Sequence, residues 1–303
     1  MSLTELPVTD NLFPGFRLLD VATPGARIRV RVGGEGPPLL LLHGYPQTHV
    51  LWHKVAARLK DRFTLVCADL RGYGDSDKPK GEADHANYAK RAMALDMAEV
   101  MTALGHERFC VGAHDRGARV AHRLALDHPG RVIRLATLDI APTREMYANT
   151  TDAFARAYWH WFFLIQPSPF PERMIGADPA AFWRKKCGSG SAGMTPFVPE
   201  ALIHYLRCFA DPATIHGSCE DYRAAATIDI RHDDEDGGRK LTQPLLALWG
   251  ANGIIGKCFD PLALWRERAQ DVRGHALPGG HYLAEEVPDL VAAEFGSFFG
   301  EAA

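Results

Sequence analysis

FCVGAHDRGARV, residues 109–120, decides the reading of this chain. An apolar run ends at Asp115, with Ala113 two residues before it and Gly117 two after. A helical pattern then starts at once, with Arg116, Ala118, Val120, Ala121, Leu124 and Ala125. The spacing predicts a strand, a very tight turn and a helix, with Asp115 exposed at the tip. That is the geometry of a nucleophile elbow, in which small flanking residues let strand and helix approach closely. A carboxylate at the tip can displace a leaving group from carbon and form an ester with the enzyme. The competing reading is an ordinary strand-to-helix loop with an acidic N-cap.

The chain is long enough for one large domain, or a domain with an insertion. Hydrophobic residues make up 47% and charged residues 23%, which is globular rather than disordered composition. A net charge of −3 implies no general basic surface for nucleic acid, so an acidic small substrate would need a local positive site. Cys67, Cys110, Cys187, Cys208, Cys219 and Cys258 form no CxxC pair and fit a reduced, cytoplasmic setting. MSLTELPVTDNLFPGF lacks the basic start and apolar run of a signal peptide. The run PPLLLLH is too short to span a bilayer, and no membrane association is expected.

Read outward from the elbow, buried-strand patterns recur. RIRVRVG at 27–33 alternates basic and apolar residues, as an antiparallel edge strand with one wet face would. PPLLLLHGYP and FTLVCADL read as strands buried on both faces, as do VIRLATLDIAP at 132–142 and PLLALWGA at 244–251. DVRGHALPGGH at 271–281 is the last strand with its loop. Helices are expected over 49–61, over 86–104 and at the C-terminus, where Val287, Leu290, Val291 and Phe295 would share a face. This alternation predicts an α/β fold: a mainly parallel sheet with helices on both faces. His43, Asp115 and Asp139 then fall at carboxyl ends of strands, on the rim where such sheets bind ligands. Residues 145–230 are rich in aromatics and helix formers and are expected to form a helical cap inserted into a core of 1–144 and 231–303. HDDEDGGRK at 232–240 reads as an acidic, solvated loop leading back to the core.

An aspartyl ester needs a base to open it, and histidine suits neutral pH. His281, in GGHYLAEE, is framed by glycines that let a loop carry an imidazole over the strand ends. Its acidic partner is sought first in the loop LWGANGIIGK, but Gly253 stands where a carboxylate is expected. Asp139, one strand after the elbow, is the remaining candidate. The backbone N–H groups of Tyr45, in HGYP, and of Arg116 would make an oxyanion hole. Arg116 and Arg119 share a face in the first turn of the elbow helix, where cations oppose the helix dipole. Their functional reading is a bidentate clamp on a substrate carboxylate. His160, Trp161 and Tyr222 each carry an N–H or O–H able to solvate a leaving halide, but spacing does not select them from the other cap aromatics.

Three other patterns carry less. GSGSAG at 188–193 matches GxGxxG, but no strand precedes it. His49 and His53 have helical ligand spacing without the glutamate of HExxH, so no metal is expected. Ser76 lacks the glycine two residues on that a serine elbow requires.

Taken together, HGYPQT, DLRGYGDSDKP, HDRGAR, Asp139 and GGHYLAEE resemble the fluoroacetate (haloacetate) dehalogenases of the α/β-hydrolase superfamily. The resemblance spans nearly the whole chain, and the arginine pair is its most specific feature. It implies an α/β-hydrolase fold with Asp115 as nucleophile, His281 as base and Asp139 as acid. Arg116 and Arg119 match the carboxylate clamp, and His160, Trp161 and Tyr222 match the halide cradle. A small 2-haloacid substrate, a homodimer and no cofactor are also implied. Tyr45 departs from the pattern, since phenylalanine often stands there. The rival expectation is an epoxide hydrolase with the same Asp and His, its donors drawn from Tyr158, Tyr205 and Tyr222. A non-catalytic ligand receptor on the same fold would not need the complete Asp–His–Asp set.

Overall fold

The computed structural model describes residues 2–7, 11–189 and 192–301. Within them runs a nine-stranded sheet in the order β1-β2-β3-β5-β4-β6-β7-β8-β9. Its strands are β1 Leu3–Leu6, β2 Arg17–Ala22, β3 Arg27–Gly33, β4 Pro38–Leu42, β5 Thr64–Ala68, β6 Phe109–His114, β7 Val132–Leu138, β8 Leu245–Gly250 and β9 Val272–Leu277. Pairing is antiparallel from β1 through β3 to β5 and parallel from β5 to β9. The parallel strands are buried on both faces, as their unbroken apolar runs require: Leu39 to Leu42, Leu65 to Ala68 and Val111 are fully buried.

The helices α1 His53–Leu59, α2 Lys90–Ala103 and α3 Asp115–Asp127 connect these strands. After β4 the chain turns first to β5 on one side, then crosses to β6 on the other. The gap between the ends of β4 and β6 is therefore a topological switch point, where open α/β sheets place ligands. The parallel registers set Leu42 beside Ala113 and His114 beside Leu138, so His43, Asp115 and Asp139 leave their strands at one rim. Between β7 and β8 the described chain is helical, from Thr143–Ala148 through Trp159–Leu164 and Pro212–Ala226 to Ile228–Asp236.

Three expectations change. The strand 27–33 is antiparallel but not an edge, because β2 pairs along its whole length. Its basic face is not wet: Arg27 and Arg29 pair with Asp20 at 2.8 and 2.6 Å, and Arg31 is buried. The acidic stretch 232–240 is not a solvated loop, since its first half continues the helix Ile228–Asp236. Arg123 of α3 is the reason, binding Asp233 at 2.7 Å and Asp236 at 2.5 Å. In the C-terminal helix Pro288–Gly300, Val291 and Phe295 are buried but Leu290 is exposed. All six cysteines are free, and all but Cys258 are buried. No helix among the described residues is long and apolar enough to cross a membrane. Of the GSGSAG stretch, Gly190 and Ser191 lie outside the described residues, as do Met1, Val8, Thr9 and Asp10 of the N-terminal stretch.

Candidate active site

Asp115 stands at the tip with φ 45°, the left-handed conformation of a nucleophile elbow. Two glycines make room for it. A Cβ on Gly44 would lie 2.4 Å from the Asp115 Cβ, and one on Gly117 would lie 2.3 Å from the His43 carbonyl oxygen. Both contacts are with atoms that cannot swing away. Gly117→Ala is therefore expected to destabilise the protein by about 3 kcal/mol, read as a lower midpoint in urea with an unchanged slope.

The tip is not exposed as the sequence pattern suggests: Asp115 is only 2% accessible. Trp183, on the helix Pro179–Gly188, donates to the Pro46 carbonyl at 3.1 Å and so ties a helix from between β7 and β8 to the HGYP turn. His43 belongs to the turn itself. Its Nε2 accepts from the Leu70 N–H at 3.0 Å, which leaves Nδ1–H to donate to the Gly44 carbonyl, also at 3.0 Å. His49 Nδ1 and His53 Nδ1 hydrogen-bond to Asp69 and to the Val50 carbonyl at 2.8 Å each.

Asp115, His281 and Asp139 form one chain of contacts. His281 Nδ1–H donates to Asp139 Oδ2 at 2.6 Å, and Nε2 lies 3.4 Å from Asp115 Oδ2. The other oxygen of Asp139 accepts the Gly250 N–H at 2.9 Å. The missing acid in the loop after β8 has a physical replacement. A Cβ on Gly253 would come within 3.1 Å of Asp139 Oδ1, so the carboxylate from β7 reaches into that space. Burial alone would raise the Asp115 carboxyl, but His281 beside it holds it well below the usual carboxylate range. Burial works the other way on His281, yet the two carboxylates outweigh it and raise its pKa. His114 was not singled out from the sequence. Its Nε2–H donates to the His281 carbonyl at 2.8 Å, and burial pushes its pKa down to about 3. A neutral ring thus backs the His281 loop without adding charge.

Arg116 and Arg119 are buried, and they differ. Arg116 donates Nε and Nη2 to the two carboxylate oxygens of Asp221 at 2.8 Å each. Asp221 also takes Tyr73 Oη–H at 2.6 Å and pairs with Lys90. Arg119 has no such carboxylate partner: Nη1 donates to the Ala141 carbonyl and Thr143 Oγ1 at 3.1 and 2.9 Å. Burial, then the neighbouring Arg116, lower its pKa, and Asp115 offsets them only in part. Asp221 could not be found by spacing, because it lies 105 residues from Arg116 on the helix Pro212–Ala226.

The guanidinium heads lie on aromatic faces. Arg116 Cζ is 4.1 Å from the Tyr222 ring centroid, and Arg119 Cζ is 4.7 Å from that of Trp161. His160 stacks on Tyr45 at 6.1 Å, and Tyr222 meets Tyr45 edge-on at 5.3 Å. Clamp and halide candidates are therefore one packed cluster. It holds an unusual set of buried polar atoms without a protein partner: Asp115 Oδ1, Arg116 Nη1, Arg119 Nε, His160 Nδ1, Trp161 Nε1 and the hydroxyls of Tyr45, Tyr158 and Tyr222. Leaving such groups unpaired costs about 1–3 kcal/mol each, so their grouping marks a place meant for a polar guest. A cavity of about 690 Å³ leads towards it past Tyr158, His160, Gly253 and His281. Lys185, Lys186 and Lys257 help line it, and among the described residues no carboxylate does.

The alpha/beta hydrolase fold family model matches residues 37–288. The fluoroacetate dehalogenase of Burkholderia sp is 48% identical over 295 residues, 96% of each chain. A soluble epoxide hydrolase of Corynebacterium sp. (strain C12) is 32% identical over 285 residues, 91% of this chain and 94% of its own. The crystal structure of ALR0039 from Nostoc sp PCC 7120 superposes with a TM-score of 0.91 at 56% identity, covering 94% of this chain and 98% of that one. The chain belongs to the α/β hydrolase family, as a relative of the fluoroacetate dehalogenase within it.

Proposed function

We propose that this protein hydrolyses a haloacetate, fluoroacetate or chloroacetate, to glycolate and halide through an ester on Asp115. The observation that carries the reading is the combination at the switch point. A buried carboxylate held well below the usual carboxylate range, with one unpartnered oxygen, lies in one packed cluster with two guanidinium groups and three N–H or O–H donors. Arg116 Nη1 and Arg119 Nε hold the substrate carboxylate, which compensates the buried charge of Arg119. Asp115 Oδ1 then attacks the α carbon from behind the carbon–halogen bond. His160, Trp161 and Tyr222 replace the water the halide has lost. His281, held by Asp139, takes a proton from water, which attacks the Asp115 carbonyl. The N–H groups of Tyr45 and Arg116 receive the oxyanion. The lysines lining the cavity favour entry of an anion.

The direct test is halide release from fluoroacetate and chloroacetate beside diol formation from styrene oxide. Halide release without diol supports the reading; diol alone supports an epoxide hydrolase. The pair of buried guanidiniums favours the acid, because a neutral epoxide offers them no counter-charge. A homodimer in a cytoplasmic setting belongs to the same proposal, and sedimentation of the purified protein tests the dimer.

Asp221 is expected to act as a positioning residue for the clamp. Asp221→Asn removes one charge-assisted partner from Arg116, a loss of about 1.5 kcal/mol, or about tenfold in KM for chloroacetate. The value of kcat should change by less than about threefold, because uniform binding is lost rather than transition-state contact. Asp221→Glu should restore part of the loss.

A further inference from the structure

Tyr158 has no part in the halide chemistry above. It is 6% exposed, and its hydroxyl has no hydrogen-bond partner among the described residues. Its ring centroid lies 5.3 Å from His160, 5.8 Å from Trp161 and 6.2 Å from His281. The phenol thus stands between the base and the leaving-group donors. A departing halide needs hydrogen bonds but no proton, whereas a departing oxygen needs both. The cluster therefore holds more acid than dehalogenation uses, beside a clamp that selects carboxylates.

We infer that the same site hydrolyses small α,β-epoxy acids, with glycidate (oxirane-2-carboxylate) as the simplest, Tyr158 donating the proton to the ring oxygen. The inference rests on the proposed reading, since it uses the same nucleophile, base and clamp. Arg116 and Arg119 hold the carboxylate. A bond forms from an Asp115 oxygen to the α carbon as the bond from that carbon to the ring oxygen breaks. The electron pair goes to the oxygen, which stays on the β carbon and takes the Tyr158 proton. His281 next deprotonates water, and the hydroxide attacks the Asp115 carbonyl. The alkyl oxygen leaves with the proton held by His281, and the proton left on Asp115 returns to the Tyr158 phenolate. The sum is glycidate plus water giving glycerate, inverted at the α carbon. A neutral epoxide offers the unpartnered Arg116 Nη1 and Arg119 Nε no carboxylate to hold and is turned over poorly.

The experiment supplies glycidate, chloroacetate and styrene oxide in parallel to the wild type and to Tyr158→Phe. Glycerate is expected from glycidate, with kcat/KM for styrene oxide at least about a hundredfold lower, the scale of one lost charge pairing. Tyr158→Phe should lower kcat/KM for glycidate about a hundredfold and the glycidate-to-chloroacetate ratio at least about tenfold. Chloroacetate turnover by the same sample reports its fold. In His281→Asn, intact mass should show Asp115 carrying the whole epoxy acid. Chloroacetate turned over with glycidate untouched overturns the inference and leaves the dehalogenase reading standing. Styrene oxide turned over as well as glycidate overturns it too, as does an equal loss on both acids in Tyr158→Phe. Chloroacetate left untouched overturns the dehalogenase reading on which it rests.

Discussion

Asp115→Ala is expected to lower chloride release from chloroacetate by at least about 10⁴-fold, the scale on which removal of a nucleophile acts. The loss should appear in kcat and not in substrate binding. Arg116 and Arg119 keep their partners in this variant, because Asp221, the Ala141 carbonyl and Thr143 hold them rather than Asp115. Alanine at φ 45° costs about 1 kcal/mol of backbone strain, so the fold should survive and melt a few degrees lower. Equilibrium binding of glycolate should persist near its wild-type strength. Neither Asp139 nor Asp221 can substitute for Asp115. Asp139 is engaged by His281 and Gly250, and Asp221 by Arg116, Lys90 and Tyr73.

His281→Asn is the second large effect, and its signature is different. Ester formation needs Asp115 ionised, and desolvation no longer has His281 to offset it, so this step slows. Arg119 still favours the carboxylate, so the step should continue. Ester hydrolysis needs a base, and none stands in reserve. His114 is buried with its pKa at about 3 and is turned to the His281 carbonyl, and His160 is also buried with a lowered pKa. Steady turnover should fall by about 10³-fold, in the range of general-base loss. One equivalent of halide should appear in a burst, and intact mass should show an acetate-sized addition on Asp115. Full turnover without any adduct would remove the ester from the scheme.

How much of this was legible depends on what each residue's neighbours are. The parallel strands declare themselves because both faces are buried, so Leu39 to Leu42 need no alternation to be recognised. The elbow is legible because close packing demands glycine at Gly117, and glycine is visible in a sequence. Asp139 is legible only by elimination, because its carboxylate reaches from the end of β7 into the space a side chain at Gly253 would need. β1 and β2 escaped notice because they are short and largely exposed or intermediate, with Thr4 and Glu5 in the first. Without β2, the basic face of β3 could only be read as wet. The acids at 233 and 236 read as solvated for the same reason: Arg123 lies more than a hundred residues away. Asp221 and His114 belong to this class. Their meaning comes from a side chain they meet in space, and no spacing announces it.

The central claim is that an oxygen of Asp115 becomes the new oxygen of the product. A single turnover in water enriched in oxygen-18, with enzyme in excess over chloroacetate, tests it most directly. Glycolate from that first turnover should be unlabelled at its hydroxyl, and the label should sit in the side chain of Asp115. Glycolate carrying the label at its hydroxyl from the first turnover, with Asp115 unlabelled, would mean that water attacks carbon directly, and would contradict the account.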